Sequence, residues 1–271
     1  MNKYSLLLLI LLVIIAVLLI KYFKSRKKIN IGALCLITGG VKSGKTSLAV
    51  YLAFNEYRKR IFNFYFKKIF FPKKNINIEK PLLYSNVPLK CSYVPLTKDL
   101  LLRKKRFAYN SVIYVCEASL VADNMLFKDM VLNDKLLFFN KLIAHETKGG
   151  CLIYDTQSLQ DVHYTIKRSV SNFIYINSLN KGLPFILRAN VKEYINLGED
   201  SNVFSINNDD LENEMKYVYF PKAIWKKFDC YCYSTLTDNL EVEKNVINNK
   251  NGSLKVDKII SFRNRSVENE K

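Results

Sequence analysis

"ITGGVKSGKTSL", Ile37 to Leu48, is the stretch on which the fold turns. Gly39, followed by Gly44, Lys45 and Thr46, fits G-x-x-x-x-G-K-[ST], a pattern whose glycines let the backbone curl until successive N–H groups aim at phosphate oxygens. The flanks agree with it. Before the loop, "INIGALCLIT" is a short apolar run of β type, and after it "SLAVYLAFNEYRKR" repeats apolar residues at helical spacing. Strand, glycine loop, helix is the order such a phosphate cradle requires. The expected cradle is Gly39, Gly40, Val41, Lys42, Ser43, Gly44, Lys45, Thr46 and Ser47. Lys45 would neutralise β- and γ-phosphate charge, Thr46 would offer its hydroxyl to Mg²⁺, and the helix N-terminus would add partial positive charge.

Working outward, "PLLYSNVPL" (Pro81 to Leu89), "SVIYVCEAS" (Ser111 to Ser119), "CLIYDTQS" (Cys151 to Ser158) and "SNFIYINSL" (Ser171 to Leu179) are short β-rich runs. "NDKLLFFNKLIAHETK" and "LQDVHYTIKRSV" between them have helical periodicity. Strands alternating with helices predict an α/β P-loop domain with a mainly parallel sheet and crossover helices. "NKGLPFILRANVKEYI" reads as a turn at Asn180 to Gly182 entering an added hairpin strand. Beyond about Leu236 the chain is polar and rich in Asn, Lys and Glu, which predicts a flexible tail.

A nucleotide hydrolase of this type needs a second, acidic strand end to organise Mg²⁺ and the attacking water. "VIYVCEAS" supplies Glu117 for both tasks, but Cys116 stands where an Asp usually orients the metal. At the next strand end Gln157 is placed to sense the γ-phosphate, and Asp155 to supply the missing carboxylate through water. Arg168, with Arg103 and Arg106 as weaker alternatives, is the candidate for an arginine finger acting across a subunit boundary.

The chain has 271 residues and a net charge of +18, enough for one domain with appendages and strongly attractive to anionic partners. Lysine blocks interleaved with aromatics, "FNFYFKKIFFPKK" (Phe62 to Lys74) and "LLLRKKRF" (Leu100 to Phe107), point to lipid headgroups or nucleic acid. Of six cysteines, Cys35, Cys116 and Cys151 lie in apolar strand-like runs, where cysteine acts as a small hydrophobe of a reduced compartment. Cys230 and Cys232 form C-x-C, but with two histidines in the chain and no second paired motif, a zinc site is disfavoured.

Ser5 to Ile20, "SLLLLILLVIIAVLLI", carries no charge and no polar face. As a helix it spans about 24 Å, and Tyr4, Tyr22 and Phe23 extend it into the interfacial layers. "KYFKSRKK" follows instead of small residues, which favours a retained single-pass anchor over a cleaved signal. The basic cluster Lys21, Lys24, Arg26, Lys27 and Lys28 is expected to set the C-terminal bulk in the cytoplasm, on the inner (cytoplasmic) membrane. About nine residues separate anchor from strand, a reach of about 30 Å, so the nucleotide domain is expected to work against the membrane face. The expected organisation is an anchor with its basic segment at 1–28, the ATPase domain at 29–235 and the tail at 236–271.

In this order the segments resemble the zonula occludens toxin (Zot) family, the assembly ATPases of filamentous phages within the wider FtsK and HerA-like class. The resemblance rests on "ITGGVKSGKTSLA", "LLYSNVPL", "VIYVCEA", "IYDTQSLQDVHYTIK" and the terminal "FDCYCYS", and runs from about Ile29 to Ser234. It implies ATP and Mg²⁺ as cofactors, Gly39, Gly44, Lys45 and Thr46 at phosphate and metal, Glu117 at the water and Gln157 as sensor. It also implies a homo-oligomeric ring of six subunits, with phage coat protein, single-stranded DNA and the lipid bilayer as partners. Cys116 and the N-terminal position of the anchor depart from the family pattern. Three functions stand open: an ATP-driven motor for virion assembly and extrusion, a DNA-pumping ATPase of the FtsK/HerA class, and a nucleotide-binding scaffold with little hydrolysis.

Overall fold

The computed structural model describes residues 13, 29, 31–71, 79–97, 100, 106–121, 130–181, 185–195, 215–228, 246–248 and 254–256. In chain order the elements are β1 (Leu34–Gly39), α1 (Lys45–Phe70), β2 (Leu83–Ser85), β3 (Val94–Pro95), β4 (Val112–Val115) and α2 (Ala118–Val121). There follow α3 (Met130–Glu146), β5 (Cys151–Thr156), α4 (Tyr164–Ser169), β6 (Asn172–Lys181), β7 (Ile186–Ile195), β8 (Lys216–Pro221) and a 3₁₀ turn (Lys222–Lys226).

One sheet holds eight strands in the order β3-β2-β4-β5-β1-β6-β7-β8. The strands from β3 to β6 pair in parallel, while β6–β7 and β7–β8 are antiparallel, so the predicted hairpin is present and β8 extends it. Period-two alternation divides the core. Cys35 and Ile37 of β1 join Leu48, Val50 and Leu52 of α1 on one face. Leu34 and Leu36 join Phe139 and Ile143 of α3 and Ile166 of α4 on the other. Both faces of the parallel strands are therefore covered, and each large apolar side chain so buried contributes about 1.5–3 kcal/mol.

The buried residues of α1 all fall between Lys45 and Ala53, although the helix runs to Phe70. Arg60 marks where it leaves the sheet. Its guanidinium donates to the carbonyls of Asn110 (3.2 Å) and Gly149 (2.6 Å), just before the amino ends of β4 and β5. The last ten residues overhang that edge by about 15 Å. Sequence periodicity limited the helix to about Arg60; the aromatic and lysine block that follows continues it instead of forming a separate segment.

The chain enters β1 from the same edge, with Ile29 and Ile31 packed against the α1 face. The phosphate loop follows the carboxyl end of β1. A six-residue strand, about 20 Å, thus separates loop from entry point. Among the described residues no helix is long and apolar enough to cross a membrane; the run Ser5 to Ile20 lies outside them apart from Val13. Cys230 and Cys232 also lie outside, and within the expected tail the described residues form a two-stranded antiparallel pair, β9 (Val246–Asn248) with β10 (Leu254–Val256).

Candidate active site

Because β5 lies between β1 and β4, three strand ends converge at the carboxyl edge of the sheet, where ligands of open α/β sheets bind. The loop between β1 and α1 has the shape its glycines allow. A Cβ on Gly39 would stand 2.5 Å from the Ile176 carbonyl oxygen, and Gly44, at φ 86°, would drive one to 2.5 Å from Leu179 Cδ2. The loop is clamped from outside by β6, so neither position accepts a side chain. Lys42 adopts left-handed backbone at φ 61°, while the Ser43 amide donates to the Gly40 carbonyl at 3.2 Å. Lys45 is buried and reaches back across the loop, its Nζ 3.5 Å from the same carbonyl. Ser43 Oγ is buried without a hydrogen-bond partner, as a group built to meet a ligand would be.

Asp155, at the end of β5, is fully buried and lies against the loop. Thr46 donates its hydroxyl to the Asp155 carboxylate, Tyr114 donates at 3.1 Å and the Glu117 amide donates at 2.6 Å. Burial nonetheless pushes the Asp155 carboxyl above the usual carboxylate range, and the charge of Glu117 adds to the rise. A buried carboxylate with incomplete compensation, beside a threonine hydroxyl, is a hard-oxygen pair of the kind Mg²⁺ takes together with phosphate oxygens and water. The residues present therefore fit the cation, with Thr46 and Asp155 as its protein neighbours. Bound there, Mg²⁺ would neutralise charge on the β- and γ-phosphates. Among the described residues no cluster of His, Cys, Asp and Glu could hold a metal by itself, so the cation would arrive with the phosphates.

Glu117 follows β4 in left-handed backbone at φ 53°, a costly conformation for a side-chain-bearing residue. Its Oε1 accepts from the Gln157 amide (3.0 Å), Ser119 Oγ (3.0 Å) and Thr156 Oγ1 (3.3 Å). These donors fix the carboxylate while the other oxygen keeps its capacity to accept a proton from water. Gln157 thus meets Glu117 through its backbone, and its side chain is exposed beyond the strand end. Cys116 is held from behind. Asn86, buried at the end of β2, accepts from the Cys116 amide (2.7 Å) and donates to its carbonyl (2.9 Å), which fixes the turn that presents Glu117. Burial and then the neighbouring Asp155 charge, 3.9 Å away, push the Cys116 thiol well above its usual value, so it remains neutral.

The structure does not bring Arg168 to this chain's loop. It is exposed on α4, whose Ile166 packs on the face opposite α1, and it precedes β6, whose first residues lie beside the amino end of β1. Arg106 lies before β4 on that same amino edge, ion-paired with Glu79, and Arg103 is outside the described residues. Trp225, on the 3₁₀ turn, escaped the sequence reading. Its indole Nε1 donates to Ser47 Oγ at 3.0 Å, a contact across the sheet that no local pattern signals.

No protein-family profile and no curated protein sequence matches the chain. Among solved structures it is similar to the N-terminal domain of zonular occludens toxin from Neisseria meningitidis, at 17% identity and TM-score 0.42, over 74% of this chain and 100% of that one. It is also similar to the flagellar accessory protein FlaH of Methanocaldococcus jannaschii (16% identity, TM-score 0.35, 64% of this chain and 84% of that one). A third is the genome packaging NTPase B204 of Sulfolobus turreted icosahedral virus 2 (11%, TM-score 0.32, 62% and 98%).

Proposed function

We propose that this chain is a membrane-tethered P-loop ATPase, acting in a ring to drive assembly and extrusion of filamentous phage virions through the inner membrane. The observation that carries the enzyme reading is the convergence of Lys45, Thr46, Asp155 and Glu117 at one sheet edge. The loop amides and Lys45 bind the phosphates, Asp155 orients Thr46, and Glu117 holds and deprotonates the attacking water. Asp155 supplies from the neighbouring strand the carboxylate that Cys116 lacks, which favours hydrolysis over the scaffold reading. Resemblance of the motif segments in their order supports the phage role, with coat protein and single-stranded DNA as partners.

The amino edge supports the membrane reading. The apolar N-terminal run would join the chain there, and the overhang of α1 leaves Phe62, Ile69, Phe70 and Phe71 exposed beside Lys68. Aromatics with lysines suit an anionic lipid interface. The nucleotide loop then faces the cytoplasm.

Lys45→Ala tests the whole reading, because it removes a cation and a charge-assisted hydrogen bond from a multiply charged ligand. ATP affinity should fall about 100-fold or more, turnover should vanish, and producing cells should accumulate phage DNA without releasing virions. Unchanged ATP affinity in that variant removes the ATPase; unchanged virion release with turnover lost removes the motor.

A further inference from the structure

We propose that Trp225 and Lys222 form the nucleoside end of this site, with the base of a purine nucleoside triphosphate stacked on the indole; the proposal rests on the phosphate-loop reading. β8 runs in the same direction as β1, since two antiparallel pairings separate it from β6, so the 3₁₀ turn after it stands at the loop's edge of the sheet. The turn is fixed at both ends. The Lys222 amide donates to the Phe185 carbonyl at 2.9 Å, the Lys90 amide to the Lys227 carbonyl at 2.7 Å, and Ile224 is buried in the α1-side core.

From this base Trp225 reaches the first turn of α1. Its indole N–H donates to Ser47 Oγ, yet 39% of the residue remains exposed, and Lys222 Nζ lies 5.5 Å from the ring centroid. An indole nitrogen only donates, so it occupies a lone pair of Ser47 and leaves the hydroxyl proton to seek an acceptor. With β- and γ-phosphates at Lys45 and Thr46, the α-phosphate falls at Ser47. Sugar and base must then leave the loop past Trp225. A rigidly held, half-open aromatic plane at that exit offers stacking area, larger for a purine than for a pyrimidine, and Lys222 adds a cation beside the sugar and α-phosphate.

Trp225 is the single tryptophan of the chain, so its fluorescence reports this site alone. With the full chain in detergent, ATP should quench it and inorganic tripolyphosphate, bound by the same loop, should not. Trp225→Ala should weaken ATP about tenfold and leave tripolyphosphate unchanged, and Trp225→Phe should recover most of the loss. Equal weakening of both ligands makes Trp225 a prop for Ser47 and overturns the proposal. If the Ala variant fails to fold, the wild type decides: equal affinity for ATP and tripolyphosphate with unaltered fluorescence also overturns it. Binding of neither ligand to wild type instead strikes the phosphate-loop reading itself.

Discussion

Asp155 carries a conflict between stability and function that its neighbours only partly relieve. Four donors reach it, the Cys116 thiol the most distant at 3.9 Å, yet burial still raises its carboxyl above the usual range, so the ionised form costs the free protein stability. Asp155→Asn removes that charge and keeps an acceptor for the Glu117 amide. The variant should melt a few degrees higher, corresponding to about 1 kcal/mol, while Mg²⁺-dependent ATP turnover falls at least about tenfold. Thermal melts with and without Mg²⁺ and ATP check both parts; a variant that melts lower and keeps its Mg²⁺ dependence would make Asp155 a structural acceptor only. Cys116 makes sense beside it, because a second carboxylate there would add like charge to an already buried one. The loop from Gly39 to Ser47 was legible in sequence because its chemistry is local, set by backbone curl and contiguous residues. The role of Asp155 was legible only as one option, since it depends on β5 lying next to β1, and strand order is not written in any one segment. Trp225 was hidden for the same reason, its partner Ser47 being 178 positions away in the chain.

At the scale of elements, α1 is two helices in function. Its first half packs Leu48, Val50 and Leu52 into the core and presents the loop; its second half, past the Arg60 clamp, presents aromatic rings. Phe62 and Phe66 stack at 6.2 Å between centroids, and Phe66 and Phe70 meet tilted at 4.5 Å, a ladder at i,i+4 spacing on one exposed stripe. The lysine interleaving was visible in the sequence, but the continued helix and its overhang were not, because they follow from short strands beneath a long helix. With residues 1–20 deleted, the protein should still float with anionic vesicles at low salt and come off as salt is raised, each nearby cation contributing about 1 kcal/mol. Phe66→Ser with Phe70→Ser should remove most of the residual binding. Flotation that is equal at low and high salt, or indifferent to both serines, would assign this helix end to a protein contact instead.

At the scale of the molecule, the two edges of the sheet set the geometry of any assembly. If the amino edge faces the bilayer, strands run along the ring axis and every phosphate loop sits at one level, distal from the membrane. In that arrangement Arg168 would stand near the opposite level, away from its own loop and from a neighbour's. Of the arginines among the described residues, Arg188 stands on the loop's edge: it pairs with Asn180 on the part of β6 that rises past Ile176, the register partner of Gly39. Its guanidinium lies 5.1 Å from the Tyr217 ring centroid and its buried Nε has no hydrogen-bond partner. A ring that completes its sites between subunits should therefore lose turnover with Arg188→Ala while retaining ATP binding, and should keep turnover within about twofold with Arg168→Ala. Lys45→Ala subunits mixed into wild type in detergent should depress activity more than in proportion, from a particle of several subunit masses. A linear mixing curve from particles of monomer mass would sink the ring, and loss of turnover in Arg168→Ala alone would overturn the orientation of the sheet relative to the ring axis.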